Sequence, residues 1–270
     1  MGLIRRYVSM LSATDEKTLD KIAELEEQKK FNEHAEDALL PYIPVDKNYE
    51  YLPKSIFKKV GYFFKRLFVV NRIKRRANKC FKTIVVGKEN IKGIDNAVVC
   101  CNHVNKLDSM AICHALSPHK IYFTTAEFNN MKGFLGEMMR AGRILPMSQN
   151  IDAQKNFLKS VEELLATKNY VTFFPERAEW WCYKKPRPHE IGAYHIAKKY
   201  NVPIVPIFIT FAETEASKAS KTGLPQFVVN VLKPIYPNKN VGREDANIMR
   251  GKCFDEFKKC YEKFYDETLS

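Results

Sequence analysis

The chain has 270 residues, a formal net charge of +13 and 45% hydrophobic residues. This length is sufficient to bury a substantial core, either as one large domain or as one domain with a helical extension. The seven cysteines have neither zinc-site nor redox-motif spacing, and the first residues lack an apolar secretory leader. We therefore expect reduced thiols, no metal site and a cytoplasmic setting. No apolar run approaches the ~20 residues that a membrane-spanning helix needs.

Charge divides the chain into regions. Residues 1–50 contain 7 Lys/Arg and 11 Asp/Glu, whereas the remainder of the chain contains 37 Lys/Arg and 20 Asp/Glu. The acidic region has a helical pattern around Glu16 to Lys30 and is irregular beyond it. We predict an N-terminal arm over residues 1–50, a basic amphipathic helix over 51–80 and an α/β domain over 81–270.

The second region combines bulky apolar and basic residues at helical spacing, and no Asp or Glu occurs between Tyr51 and Lys88. The apolar positions are Ile56, Val60, Phe63, Phe64, Leu67 and Phe68, and the cations around them are Lys58, Lys59, Lys65, Arg66, Arg72, Lys74, Arg75 and Arg76. This pattern predicts a helix that lies on an anionic membrane surface. A core-packed helix and a nucleic-acid-binding segment are the alternatives. Aromatics that share one face disfavour nucleic acid, because base stacking needs them interleaved with cations.

Beyond residue 80, predicted strands alternate with predicted helices. Strands are expected at 81–86, 97–101, 120–124, 170–174, 202–211 and 227–232, and helices at 108–116, 131–139, 152–169 and 192–200. This alternation predicts the α/β class, with a largely parallel central sheet flanked by helices. Ligands of such sheets bind beyond the carboxyl ends of the strands.

The turn after the 97–101 strand carries the main candidate site. It reads Asn102-His103-Val104-Asn105-Lys106-Leu107-Asp108, and we expect Asp108 at the N-cap of the following helix. A turn allows Asp108 to bond one imidazole nitrogen of His103 and leaves the other nitrogen free as a base for a substrate hydroxyl. A purely structural His–Asp hydrogen bond is the alternative. A nucleophilic Cys101 activated by His103 is a further, disfavoured alternative.

Four elements in order resemble the glycerolipid acyltransferase family, which contains the 1-acylglycerol-3-phosphate acyltransferases. Its four motifs are similar to Asn102-His103-x4-Asp108, Gly142–Pro146, Phe174-Pro175-Glu176 and Val202–Pro206, over roughly residues 80–215. The resemblance implies that His103, oriented by Asp108, is the general base for direct acyl transfer to a hydroxyl. It also implies acyl-CoA or acyl carrier protein as the co-substrate and no bound cofactor.

The third motif departs from the family pattern. The family form continues with Gly-Thr-Arg-Ser, whose arginine is assigned to the acceptor phosphate, but Glu179 occupies that position here. The second motif also lacks its downstream arginine. We expect substrate to be bound by Asn102, Arg143, Glu176, Arg177, Lys185 and Arg187, with the cations among them replacing the missing arginine. The alternative for the basic run after Trp181 is a solvated surface loop.

The function expected from this resemblance is acyl transfer to a lysophospholipid in phospholipid biosynthesis, with 1-acyl-glycerol-3-phosphate as the acceptor. The protein would lie on the cytoplasmic face of a membrane as a peripheral or monotopic enzyme, and nucleic acid is not an expected partner. One alternative is a catalytically degenerate relative that only binds lipid or membrane. The others are an acyltransferase whose acceptor lacks a phosphomonoester and a hydrolase that uses water.

Overall fold

A seven-stranded sheet forms the centre of the part of the chain that the structure describes. The computed structural model describes residues 16–36, 41–213 and 225–269. The strands are β1 (Ile84–Val86), β2 (Ala97–Cys101), β3 (Lys120–Ala126), β4 (Ile144–Met147), β5 (Asn169–Phe173), β6 (Ile204–Ala212) and β7 (Gln226–Val231). Their order across the sheet is β1-β7-β6-β2-β5-β3-β4. All pairs are parallel except β6–β7, which confirms the predicted largely parallel α/β fold.

Helices cover both faces of the sheet. They are α1 (Glu16–Glu27), α2 (Ile56–Lys65), a π-helical segment (Arg66–Val70), α3 (Asn71–Cys80), α4 (Asp108–Ala115), α5 (Gly133–Ala141), α6 (Ile151–Ala166), α7 (Gly192–Tyr200) and α8 (Asp245–Tyr265). Strand β2 shows why two cores form. Val99 and Cys101 belong to the cluster on one face, and Val98 and Cys100 belong to the cluster on the other. This alternation is the period of two that an extended strand imposes.

Three elements differ most from the sequence prediction, and one of them is β4, which was not predicted as a strand. Strand β1 begins at Ile84 and not at Phe81, because Phe81 stacks on Phe227 with ring centroids 4.0 Å apart and Lys82 adopts φ 47°, outside the extended region. Helix α8 was not predicted. Its signal is nevertheless present, since Met249, Cys253, Phe257 and Tyr261 recur at helical spacing and are buried.

The basic region forms one continuous helix over residues 56–80, interrupted only by the π-helical segment. No side chain between residues 56 and 70 is buried, and Phe57 is 86% exposed. The interpretation of this part as a core-packed helix is therefore wrong. A contiguous exposed apolar face of this kind indicates an interaction surface. Within the described ranges, no helix is both long and apolar enough to cross a bilayer.

Candidate active site

The turn between β2 and α4 is fixed by the side chains of two asparagines. Asn102 is buried, and its amide both donates to the Ile209 carbonyl (2.9 Å) and accepts from the Ile209 N–H (2.8 Å), which ties the end of β2 to β6. The Asn105 side chain accepts from the Leu107 N–H at 3.0 Å. Asn102 was expected to bind substrate, but its hydrogen bonds hold the position of the turn.

His103 and Asp108 form a hydrogen-bonded pair on this turn, with Nδ1 of His103 2.9 Å from Oδ2 of Asp108. The same carboxylate oxygen accepts from the N–H groups of Val104 (2.8 Å) and Asn105 (3.1 Å). Asp108 is 1% exposed, and burial raises its pKa while the hydrogen bond with His103 opposes that rise. The helix begins at Asp108 with Leu107 as its N-cap. The predicted N-cap is therefore one residue off, because the carboxylate points back into the turn.

The imidazole of His103 packs against an aromatic ring and remains partly exposed. Its ring stacks on the Phe174 ring with centroids 4.1 Å apart, and the side chain is 23% exposed. In the neutral imidazole, donation from Nδ1 to Asp108 leaves the lone pair of Nε2 available, and Nε2 has no hydrogen-bond partner among the described residues. An unprotonated, oriented and accessible nitrogen can accept a proton from a hydroxyl.

Cys101 does not provide a nucleophile for this histidine. It is fully buried on the sheet face that packs against α4, and its Sγ lies 3.6 Å from the side-chain oxygen of Asn102. Burial raises the pKa of the Cys101 thiol well above its usual value. Because the thiolate is the reactive form, this environment disfavours Cys–His chemistry.

Glu176 and Arg187 form a buried ion pair next to the turn that carries His103, and each side chain is 1% exposed. Nε and Nη2 of Arg187 donate to one Glu176 oxygen at 3.2 and 2.8 Å, and that oxygen also accepts from the His103 N–H at 3.2 Å. The guanidinium donates further to the carbonyls of Phe31, His103 and Ala178. Both residues were expected to bind substrate. The structure instead gives them a role in supporting the loop that carries His103.

The other predicted cations are also engaged or distant. Lys185 lies 2.8 Å from Glu26, and Arg177 lies 3.9 Å from Glu190. Arg143 immediately precedes β4. Pairing of β4 with β3, of β3 with β5 and of β5 with β2 places Ile144, the next residue, at the same level of the sheet as Val99 of β2. From the strand spacing and the rise per residue, its backbone lies roughly 20 Å from that of His103. The sequence could not show this, because the level of Arg143 depends on strand order.

Glu179, the acid in place of the family arginine, lies in the electrostatic environment of the pair. Burial raises its pKa to about 7, the charge of His103 opposes the rise, and the charge of Asp108 adds to it. Its carboxyl group has no hydrogen-bond or ion-pair partner among the described residues. The candidate site thus presents a carboxyl group at a position where the family pattern places a cation.

The N-terminal arm packs on the segment that follows the third motif. Ile22 and Leu25 of α1 cluster with Ala178 and Trp180, and the indole N–H of Trp180 donates to the Glu33 carbonyl at 2.9 Å. Trp180 is fully buried by this contact. Sequence reasoning assigned no role to the arm. The apolar spacing in α1 indicates a packed helix, but its partner is about half the chain away.

The fold and the site define an α/β protein with a His–Asp pair at the carboxyl edge of a largely parallel sheet. The family model described as Acyltransferase matches residues 82–210, which include the pair. This match confirms the resemblance to an acyltransferase family.

The architecture is similar to the crystal structure of the 1-acyl-sn-glycerophosphate (LPA) acyltransferase, PlsC, from Thermotoga maritima. The TM-score is 0.53, with 16% identity, and the match covers 79% of this chain and 91% of that one. At this identity the likeness concerns the fold. No curated protein sequence matches the chain.

The raised pKa of Glu179 predicts a pH-dependent stability. The native state keeps this proton up to about pH 7, whereas the unfolded chain releases it near 4.5, so the free energy of unfolding should fall as pH rises between these values. Glu179→Gln should remove that fall and be more stable than wild type above about pH 7, with little difference at low pH. Urea unfolding across this range measures the effect. Glu162→Gln, at an exposed position on α6, is the control, and an equal gain there would refute the assignment.

Proposed function

We propose that this protein transfers a fatty acyl group from a thioester, acyl-CoA or acyl carrier protein, to the free hydroxyl of a lysophospholipid. Nε2 of His103 takes the proton of the acceptor hydroxyl as its oxygen attacks the thioester carbonyl. The carbon–sulfur bond then breaks, the new ester forms, and the thiol leaves with a proton. Asp108 holds the imidazole in the required tautomer and stabilises its charge.

The observation that carries this proposal is the His103–Asp108 hydrogen bond. It places an unprotonated, accessible nitrogen within the region that matches the acyltransferase family. The buried Glu176–Arg187 pair supports the same turn from below through the His103 backbone. This support favours catalysis over a degenerate lipid-binding role, since oriented bases require rigid surroundings.

The acceptor predicted from the resemblance is 1-acyl-glycerol-3-phosphate. A second candidate, an acceptor without a phosphomonoester, is favoured by the electrostatics near His103. Each predicted cation on the 177–187 segment has a carboxylate within 4 Å, while the carboxyl group of Glu179 has no ion-pair partner in the described part of the chain. A phosphate dianion would therefore meet an acid where the family supplies a charge-assisted donor.

An acyl-transfer assay with purified protein and lipid vesicles tests the proposed function and the choice of acceptor. Acyl-CoA and acyl carrier protein serve as donors, and lysophosphatidate, lysophosphatidylcholine and monoacylglycerol of equal chain length serve as acceptors. Ester formation that disappears in His103→Ala is expected. A preference for lysophosphatidate would exclude the second acceptor candidate. Release of free fatty acid without an acceptor would identify a hydrolase, and no turnover with any pair would identify a degenerate relative.

The exposed apolar face of the 56–80 helix supports a peripheral position on an anionic membrane. Its apolar side chains would enter the acyl region, and its cations would meet the headgroups, each worth roughly 1 kcal/mol near an anionic surface. Such binding would bring the enzyme to an acceptor that resides in the bilayer. The cytoplasmic leaflet, which carries the anionic lipids, is the surface we propose.

Phe57→Glu combined with Phe64→Glu should release the protein from anionic vesicles even at low salt, where the attraction between the cations and the lipid headgroups is strongest. The variant loses the apolar contribution to binding, which does not depend on salt. Charge reversal at Lys58, Lys59, Lys65 and Arg66 should weaken binding mainly to anionic vesicles. Sedimentation with anionic and neutral liposomes measures both effects. Ile151→Glu, at a 70% exposed site on α6, is the matched control. Binding that is insensitive to lipid charge and to these substitutions would refute the membrane-surface role of the helix.

A further inference from the structure

A cationic groove separates the basic helix from the amino ends of two strands. It encloses about 780 Å³ and lies between the 59–71 part of the helix and the strand starts at Lys120 and Asn169. Five of its lining residues are the cations Lys59, Arg66, Lys120, Arg140 and Arg143. The groove therefore lies at the opposite end of the sheet from His103, which follows the carboxyl end of β2.

Within the described part of the protein, the cations of this groove lack an ion-pair partner. Glu163, exposed on α6, is the one acid among its lining residues, and no ion pair joins any of the five cations to a carboxylate there. Arg66 and Arg143 both line this groove and the smaller cavity next to it. Burial, followed by the like charge of Arg143, lowers the pKa of Arg66. Partly buried like charges are unfavourable unless an anion lies between them.

The donors of the groove remain partly available. One Arg66 nitrogen donates to the Ala141 carbonyl at 3.1 Å, which fixes the guanidinium in place. Arg143 lies over the Tyr122 ring at 5.7 Å, and no hydrogen bond from its guanidinium is made to the described residues. Two guanidinium groups, one anchored and one with free donors, suit a phosphate group, which accepts several charge-assisted hydrogen bonds.

The groove is also amphipathic and continuous with the exposed face of the helix. Phe63 and Leu67 line it and are 54% and 43% exposed. Leu52 and Tyr122 add apolar surface inside. A ligand with a phosphate at one end and an acyl chain at the other matches this arrangement better than a free anion does.

We propose that this groove binds one anionic phospholipid through its headgroup, separately from the acyl-acceptor site. Arg66 and Arg143 would contact the phosphate, while Phe63 and Leu67 would lie against the first part of the acyl chains. The proposal goes beyond the proposed activity and does not depend on it. It adds a stoichiometric lipid site to the diffuse attraction that any basic surface exerts.

Binding of water-soluble dihexanoyl phosphatidylglycerol below its micelle concentration tests this site without a bilayer. Titration calorimetry should give one site per chain in wild type and in His103→Ala. The Arg66→Gln, Arg143→Gln double variant should bind about tenfold more weakly or worse, because it loses charge-assisted hydrogen bonds. The double variant Arg72→Gln, Arg76→Gln removes equal charge from exposed positions of the same helix and should bind like wild type.

Single Arg143→Gln guards against loss of folding, because this side chain makes no structural hydrogen bond in the described residues. It should melt at or above the wild-type temperature and lose the stabilisation that the lipid gives to wild type. Equal weakening in both double variants, or the absence of a saturable site, would overturn the proposal. Inorganic phosphate that binds as tightly as the lipid would show a free-anion site, and an oligonucleotide that binds more tightly would show a nucleic-acid site. Either result also overturns it.

Discussion

Replacing His103 by alanine is expected to lower the rate of acyl transfer by roughly 10²–10⁴-fold, the usual contribution of a general base. The fold should persist, because the hydrogen bonds that hold this turn in place are made by the His103 backbone and not by its side chain. Its N–H donates to Glu176, and its carbonyl accepts from Trp180 and Arg187. The side chain stacks on Phe174 and forms a hydrogen bond with Asp108. Initial rates with acyl-CoA, together with thermal unfolding, measure both expectations.

Asp108→Asn is the more specific companion variant. The amide oxygen can still accept from the Val104 and Asn105 N–H groups, so the turn should form. Because that same oxygen also faces Nδ1 of His103, the imidazole can keep its orientation, but the variant lacks the negative charge that stabilises the imidazolium formed during proton transfer. We expect most of the His103→Ala loss with a normal melting temperature. Near-normal turnover in both variants would refute the catalytic assignment. If only Asp108→Asn lost activity, and lost it because the protein unfolds, the pair would have a structural role.

Arg187→Met is expected to lower the free energy of unfolding by about 3–5 kcal/mol, because it leaves the Glu176 carboxylate buried without its partner. The carbonyls of Phe31, His103 and Ala178 would lose a donor as well. Activity should fall equally for phosphomonoester and neutral acceptors, since the variant disturbs the turn that carries His103. Urea unfolding and acceptor-specific rates measure the two effects.

Glu176→Gln combined with Arg187→Met provides the control for this prediction. The neutral glutamine removes the unpaired charge, and its single amide oxygen can still accept from the N–H group of either His103 or residue 187. The double variant should therefore be more stable than Arg187→Met alone. A stable Arg187→Met enzyme that loses only its phosphomonoester acceptor would show that Arg187 binds phosphate after all.

Much of the fold followed from local pattern. The alternation of strand and helix segments predicted the largely parallel sheet, since burial on both faces leaves long apolar strands between amphipathic helices. Element ends shifted by one to three residues, as at β1, where Lys82 interrupts the strand. The 56–80 helix was identified from its residue pattern, but its exposure required the packed structure. The same pattern would describe a helix whose apolar face is covered.

The His103–Asp108 pair was accessible from sequence because its members are five residues apart on one turn. The local hydrogen bond between Asn105 and Leu107 and the start of α4 bring them together. The Glu176–Arg187 pair was different. The sequence placed both residues near the site as substrate ligands, and only packing against the arm and the His103 loop revealed that their charges neutralise each other.

The sequence by itself thus determined the class of fold, the catalytic turn and the amphipathic character of the basic helix, because each depends on residues that are near neighbours along the chain. The tertiary structure decided which charges remain free. Strand order moved Arg143 to the far end of the sheet and placed it beside Arg66, and burial gave Glu179 a raised pKa next to His103. The strength of an ionic interaction depends on distance and burial, and both are set by contacts between residues that are remote in sequence.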